Sequence, residues 1–142
     1  MSVFIFQSVP DRFDLESEVV EGKKDAWYAT RYRKKMKVGD IVFFWMAGAD
    51  ERKGIYGWGV IVSEPYIRDD WQSYGVDVIY KKKFGKKLSK RILHSDSILR
   101  NMLLFRAPQA TNFLLTDEES RALIDLTKIR GETPPETGVH DD

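Results

Sequence analysis

VGDIVFFWMAGADERKGIYGWGVIVSEPY, running from Val38 to Tyr66, decides how this chain folds. Two apolar runs, Ile41-Val42-Phe43-Phe44-Trp45 and Ile55-Tyr56-Gly57-Trp58-Gly59-Val60-Ile61-Val62, flank the polar segment Asp50-Glu51-Arg52-Lys53-Gly54. Both runs are short for buried helices and rich in β-branched and aromatic residues, so they predict paired strands. Gly39-Asp40 signals a turn before the first run. Glu64-Pro65 ends the second, because proline donates no hydrogen bond and restrains the residue before it. Strands apolar on both faces belong in the middle of a sheet or in a small closed barrel.

The remaining composition narrows the class. A chain of 142 residues with 42% hydrophobic content supports one compact domain with a real core. The expected domain is residues 1–131, with residues 132–142 a disordered tail that holds adjacent prolines and a closing acidic pair. The net charge is +1, yet 32% of the residues are charged, and the cations cluster. Without cysteine there is no disulfide framework, no thiol nucleophile and no thiolate zinc site. His94 and His140 are the two histidines. No apolar run approaches the roughly 20 residues that span a bilayer, and the N-terminus lacks signal-peptide features, so a soluble cytoplasmic protein is expected.

Further strands are predicted at Val3–Val9, ended by Pro10, and at Gly75–Phe84, ended by Gly85. Tyr28, Tyr32 and Met36 recur at four-residue spacing, which predicts a short helix carrying four cations. Ser95 to Met102 reads as one short helix capped by Ser95 or Asp96. Phe113–Leu115 is a brief strand. Thr116, with Glu119 three residues on, forms a capping box for a helix that buries Leu123 and Ile124 and ends at Gly131.

These segments resemble an EVE-domain protein, a branch of the PUA-like fold related to YTH domains. The match is carried by FIFQS at Phe4–Ser8, Trp27 ahead of a basic segment, KVGDIVFFW at Lys37–Trp45, GIYGWGVI at Gly54–Ile61, DWQSYGVDVIY at Asp70–Tyr80, and RAPQATNFLLTDEE at Arg106–Glu119. The resemblance implies an α/β (α+β) chain: a PUA-like mixed, distorted β-barrel of five to six strands flanked by short helices, with a pocket at its mouth. In relatives that pocket takes a flipped nucleobase, often a modified one. Members are non-catalytic binding modules, so no cofactor is expected. The implied partner is DNA or RNA, methylated or not, and no membrane is expected as a partner.

A base reader needs flat surfaces, hydrogen-bond groups for the base edge and cations for phosphates. Stacking on an aromatic ring contributes roughly 1–3 kcal/mol per base, which offsets much of the cost of unstacking it. By the resemblance Trp27 is the leading cage wall; the plain alternative is a core tryptophan. Trp71, in a polar loop, is either the opposite wall or a lid. Trp58 and Phe44 are ambiguous between core and wall, with core favoured for Trp58. Gly54, Gly57 and Gly59 mark close approach of a backbone or a ligand, or a bulge at a barrel corner, the last preferred for Gly59. For the base edge the candidates are Gln7, Ser8, Gln109, Thr111 and Asn112, since amides offer donors and acceptors together. Thr111 and Asn112 could instead organise their own loop. Two basic runs, with Arg31, Arg33, Lys34 and Lys35 in one and Lys81, Lys83 and Lys86 in the other, are the candidate phosphate track.

Two other readings compete. An enzyme would draw on Asp77 and His94, but it would lack a metal-ligand cluster and a phosphate-cradling glycine motif. A sensor or interaction domain would hold a free small molecule, or bind a protein partner, on the same surfaces.

Overall fold

The computed structural model describes residues 1–107 and 109–136. Strands β1 (Val3–Ser8), β2 (Lys24–Tyr28), β3 (Ile41–Met46), β4 (Gly54–Ile61), β5 (Tyr66–Arg68), β6 (Ser73–Ser89) and β7 (Asn112–Leu114) form a single mixed sheet. Its order is β2-β6-β4-β3-β1-β7, with β5 also on β6. The path has six strands, and the short β5 makes a seventh. β1 and β3 are parallel and the other pairs antiparallel. Helices α1 (Leu15–Glu18), α2 (Lys90–His94) and α3 (Asp117–Ile129) pack around it.

The stretch with two apolar faces is central. Along β3, Val42, Phe44 and Met46 face an inner core with Phe4, Phe6, Trp27, Val78 and Tyr80. Ile41, Phe43 and Trp45 face an outer core with Val3, Ile5, Phe113, Leu123 and Ile124. Neither face can be left in water, which is why these strands read as continuous apolar runs rather than as alternation. The turn before β3 is pinned by Asp40, whose carboxylate accepts from Ser2 N at 3.0 Å and Lys37 N at 2.9 Å.

The sheet curls because its long strand is irregular. The β4–β6 ladder slips between Ile55 and Gly57 and again between Trp58 and Gly59. A Cβ on Gly57 would lie 2.2 Å from the Lys82 carbonyl oxygen, and one on Gly59 would lie 2.3 Å from that of Ile79. Only glycine lets the strands approach so closely, and the bend follows. The two ends of the strand path then meet: Asn112 on β7 accepts from Thr30 N at 3.0 Å through Oδ1 and donates to the Tyr28 carbonyl at 2.8 Å through Nδ2. One side chain joins β7 to the end of β2.

Several local expectations are corrected. The predicted helix across Tyr28, Tyr32 and Met36 is the end of β2 followed by one 3-10 turn, Arg33–Lys35. Tyr32 sits at φ 62°, a left-handed conformation that stops any helix before it starts. Gly85 does not end β6, which continues to Ser89. Where pairing with β4 lapses, the Glu132 carboxylate accepts from Gly85 N and Lys86 N, both at 3.1 Å. Glu132 is the first residue of the segment expected as a tail. Thr133 accepts a 2.9 Å hydrogen bond from Trp58 Nε1, and Pro135 is buried. Residues 137–142, His140 among them, lie outside the described residues. The segment from Ser95 is a 3-10 turn at Leu99–Asn101, with Asp96 Oδ1 accepting from Ile98 and Leu99 N–H; the helix precedes it, capped by Ser89. The Thr116–Glu119 capping box forms as expected.

Candidate functional site

Trp27 alternates inward from β2 and meets three phenylalanines. Its ring lies 5.2 Å from Phe44, 6.1 Å from Phe6 and 5.3 Å, edge-on, from Phe13. Phe6 and Phe44 are fully buried, whereas Phe13, on the strap between β1 and α1, reaches solvent. The indole is fixed in orientation: Nε1 donates to the Tyr80 hydroxyl at 3.0 Å, and that hydroxyl donates to Asp25 Oδ2 at 2.9 Å. Burial pushes the Tyr80 phenol far above its ordinary range, so it stays protonated and serves both partners.

Ser8 shares the inward face of β1 with Phe4 and Phe6. Its hydroxyl is buried and has no hydrogen-bond partner, the one such side-chain atom among the described residues. An unpaired buried hydroxyl costs about 1–3 kcal/mol, so this atom marks a place where a partner is wanted. Beside it, Gln7 N donates to the Thr111 carbonyl at 2.9 Å, and Gln7 Nε2 donates to the Ala110 carbonyl at 2.6 Å. Thr111 Oγ1 lies 3.4 Å from Thr30 Oγ1. Gln109 is exposed on the same loop. Gln7, Ser8, Thr111 and Asn112 thus gather where β1, β2 and β7 meet. Asn112 is committed to the seam, because both ends of its amide are already bonded to backbone.

Trp71 stands elsewhere than opposite Trp27. It stacks on Tyr28 with centroids 4.5 Å apart, and Tyr28 points out of β2 where Trp27 points in. The Arg68 guanidinium lies 4.1 Å over the same indole, and Asp70 holds that guanidinium at 3.0 and 2.6 Å. Tyr28 and Arg68 thus both lie against the Trp71 indole. The expected cage of facing tryptophans does not form: Trp27 packs within the inner core, 8% exposed, and Trp71 stacks outside β2. Trp58 belongs to neither: it packs on the outer core and bonds to Thr133.

The two basic runs separate. Arg31, Arg33, Lys34 and Lys35 make no ion pair among the described residues. Buried Ala29 and Met36 anchor their segment beside the inner core. Arg33 lies 4.1 Å over the Tyr74 ring and Arg31 lies 6.0 Å over that of Tyr32. In the second run Lys81 and Lys86 are exposed, while Lys83 Nζ donates to the Glu16 carbonyl. Lys83 and Lys86 line a cleft of about 680 Å³ with Glu16, Glu51, Arg52 and Tyr56. That mixed-charge cleft includes none of the expected base-binding residues.

Comparison with known proteins settles the family, since the EVE domain pattern matches residues 2–126. The chain is an EVE-domain protein. No curated protein matches it. Solved structures with this fold include a protein of Rhodopseudomonas palustris, 18% identical over 91% of this chain and 94% of that one, with TM-score 0.73. A hypothetical protein from Leishmania major is 18% identical over 92% and 96%, at 0.72. Human THYN1, solved in complex with 5-methylcytosine-containing DNA, is 21% identical over 94% of this chain and all of its own, at 0.69. The seven-stranded curled sheet of this EVE domain is thus the PUA-like architecture.

Other chemistry finds less in this EVE domain. Asp77 and His94 do not meet: Asp77 pairs on β6 beside β2 and accepts from the Tyr66 hydroxyl at 2.5 Å, while His94 ends α2 against Phe105. Among the described residues no group of three or more His, Asp or Glu could hold a metal ion. No helix among them is long and apolar enough to cross a membrane. The residues that sequence reasoning missed are Phe13, Tyr28, Arg68 and Tyr74. Reading Lys24–Tyr28 as a strand would have exposed Tyr28, because alternation turns it away from Trp27.

Proposed function

We propose that this EVE domain is a non-catalytic nucleic-acid-binding module that reads one nucleobase, a modified one in its natural ligand, in a site at Trp27 that opens as Phe13 moves aside. The observation that carries the reading is the unpartnered, buried Ser8 hydroxyl on the inner face of β1, the face whose Phe6 packs on Trp27. A base supplies what is missing there: an edge for the hydroxyl and a flat face for the rings. Phe13 is the partly exposed ring against Trp27, so the base enters from its side and displaces it. Gln7, Thr111 and Gln109, which share the β1–β7 seam and its loop, are proposed as further edge contacts, and the cations at residues 31–35 as the phosphate contacts. Family membership and the methylcytosine DNA held by human THYN1 point the same way.

The test uses matched oligonucleotides that differ by one methyl group on one base. The expected result is tighter binding of the methylated member, with the preference reduced in Ser8→Ala. Equal affinity for both members, or stabilisation by the free nucleoside as strong as by the oligonucleotide, overturns the reading and favours a small-molecule sensor.

A further inference from the structure

We infer that the outer face of Tyr28 is a stacking site for an unpaired nucleotide next to the base being read, so that the preferred ligand is single-stranded there. The inference rests on the proposed base-reading function and adds a ligand class to it.

The argument starts from the hairpin joining β5 to β6. Arg68 pairs with Ser73, and residues 69–72 form its tip, with Trp71 N donating to the Arg68 carbonyl at 3.2 Å and Gln72 in a left-handed conformation at φ 50°. The tip folds back onto β6 at Gly75, where an added Cβ would lie 3.0 Å from Arg68 Cδ and 3.1 Å from Trp71 Cζ3. Gly75 is paired with Tyr28 on one side and Tyr66 on the other. The glycine is a seat, and a column of three planar groups rests on it in the order Arg68, Trp71, Tyr28.

The column is ordered before any ligand arrives. Asp70 fixes Arg68 by two hydrogen bonds, and Trp71 contacts both Arg68 and Tyr28. Trp71 is only partly exposed and is contacted by both neighbours, so the ring most open to solvent is Tyr28, which is 38% exposed. A fixed, exposed ring suits a base, because stacking costs little further ordering and every base has a π-face. In a duplex that face is covered by the neighbouring pair; in a single strand it is open.

Position links this ring to Trp27. Trp27 and Tyr28 are consecutive on β2, one facing in and one facing out, so two successive nucleotides could straddle the end of the strand. Cations lie close by: Arg33 rests on Tyr74, whose carbonyl accepts from Ala29 N at 3.0 Å. Arg31, Arg33, Lys34 and Lys35 have no carboxylate partner among the described residues, in contrast to Arg68 with Asp70 or Arg52 with Asp14. Rings backed by unneutralised cations fit a sugar–phosphate strand with splayed bases.

The experiment measures anisotropy with a labelled single strand carrying the methylated base, and with a duplex carrying the same base between paired flanks. Tyr28→Ala is expected to weaken single-strand binding about 5- to 100-fold while changing duplex binding less than about twofold. Tyr28→Phe, which keeps the ring, should bind as the wild type does. Gly75→Ala, which unseats the column without touching Tyr28, should lose part of the single-strand preference. Unchanged single-strand binding by Tyr28→Ala, with methyl discrimination intact, overturns this inference and leaves the base-reading function standing. Equal losses on strand and duplex also overturn it. A wild-type protein that binds neither probe removes both proposals together.

Discussion

Asn112 accepts a 3.0 Å hydrogen bond from the backbone N–H of Thr30, 82 residues away in the chain, and its amide is 1% exposed. The same side chain donates to Tyr28, so it holds together the first and last strands of the sheet path. Asn112→Ala removes the partner of the Thr30 N–H and of the Tyr28 carbonyl, both part-buried. The expected cost is about 2–3 kcal/mol, read by chemical denaturation. Hydrogen exchange should rise first around residues 28–31. A loss under about 0.5 kcal/mol would mean that the seam is held by something else.

Gly57 is a position where space alone decides. Any Cβ there meets the Lys82 carbonyl at 2.2 Å, and backbone atoms on a paired strand cannot swing aside. Gly57→Ala should cost more than about 4 kcal/mol and yield little folded protein. Soluble expression with a cooperative melt close to that of the wild type would contradict this.

Ser8→Ala separates function from stability. The hydroxyl lacks a partner, so removing it should leave the melting temperature unchanged or raise stability by up to about 1 kcal/mol, while base discrimination falls. A destabilised variant would show that the hydroxyl is bonded in solution.

The pH dependence should be alkaline. Burial first, then the Asp25 partner, raises the Tyr80 pKa above its ordinary value of about 10. A group whose folded pKa is raised contributes stability that is fully present below the unfolded value and lost as pH climbs above it. Stability should therefore hold to about pH 9 and fall beyond about pH 10. Tyr56 and Tyr66 shift the same way and add to the fall. Phenolate absorbance should show a tyrosine that ionises only as the fold opens, and Tyr80→Phe should abolish that late step.

Salt should reveal the phosphate track. Replacing Arg33, Lys34 and Lys35 by glutamine should reduce the slope of log affinity against log salt by about 0.7 per lost phosphate contact on a single strand. The same exchange at Lys86, which lines the separate mixed-charge cleft, should change the slope less.

Much of the fold was legible in the chain because hydrophobic pattern is a local property. Apolar runs such as Ile41–Trp45 cannot be solvated on either face, and Thr116 with Glu119 caps a helix whatever surrounds it. The order of the EVE-domain segments likewise survives in one dimension. What escaped were features set by partners far along the chain. Glu132 carries β6 past Gly85 by accepting from its N–H, and Tyr32 adopts a left-handed turn because Ala29 and Met36 are both drawn into the inner core. Residue types at the site could be named in advance, but their directions could not. Whether Trp27 and Trp71 face one another depends on which side of β2 each occupies, and on the folding of the hairpin tip onto Gly75. Composition and spacing say which side chains can stack or bond; only the closing of the sheet through Asn112 brings Gln7, Ser8 and Thr111 together, because contacts between distant residues come from packing rather than sequence neighbourhood.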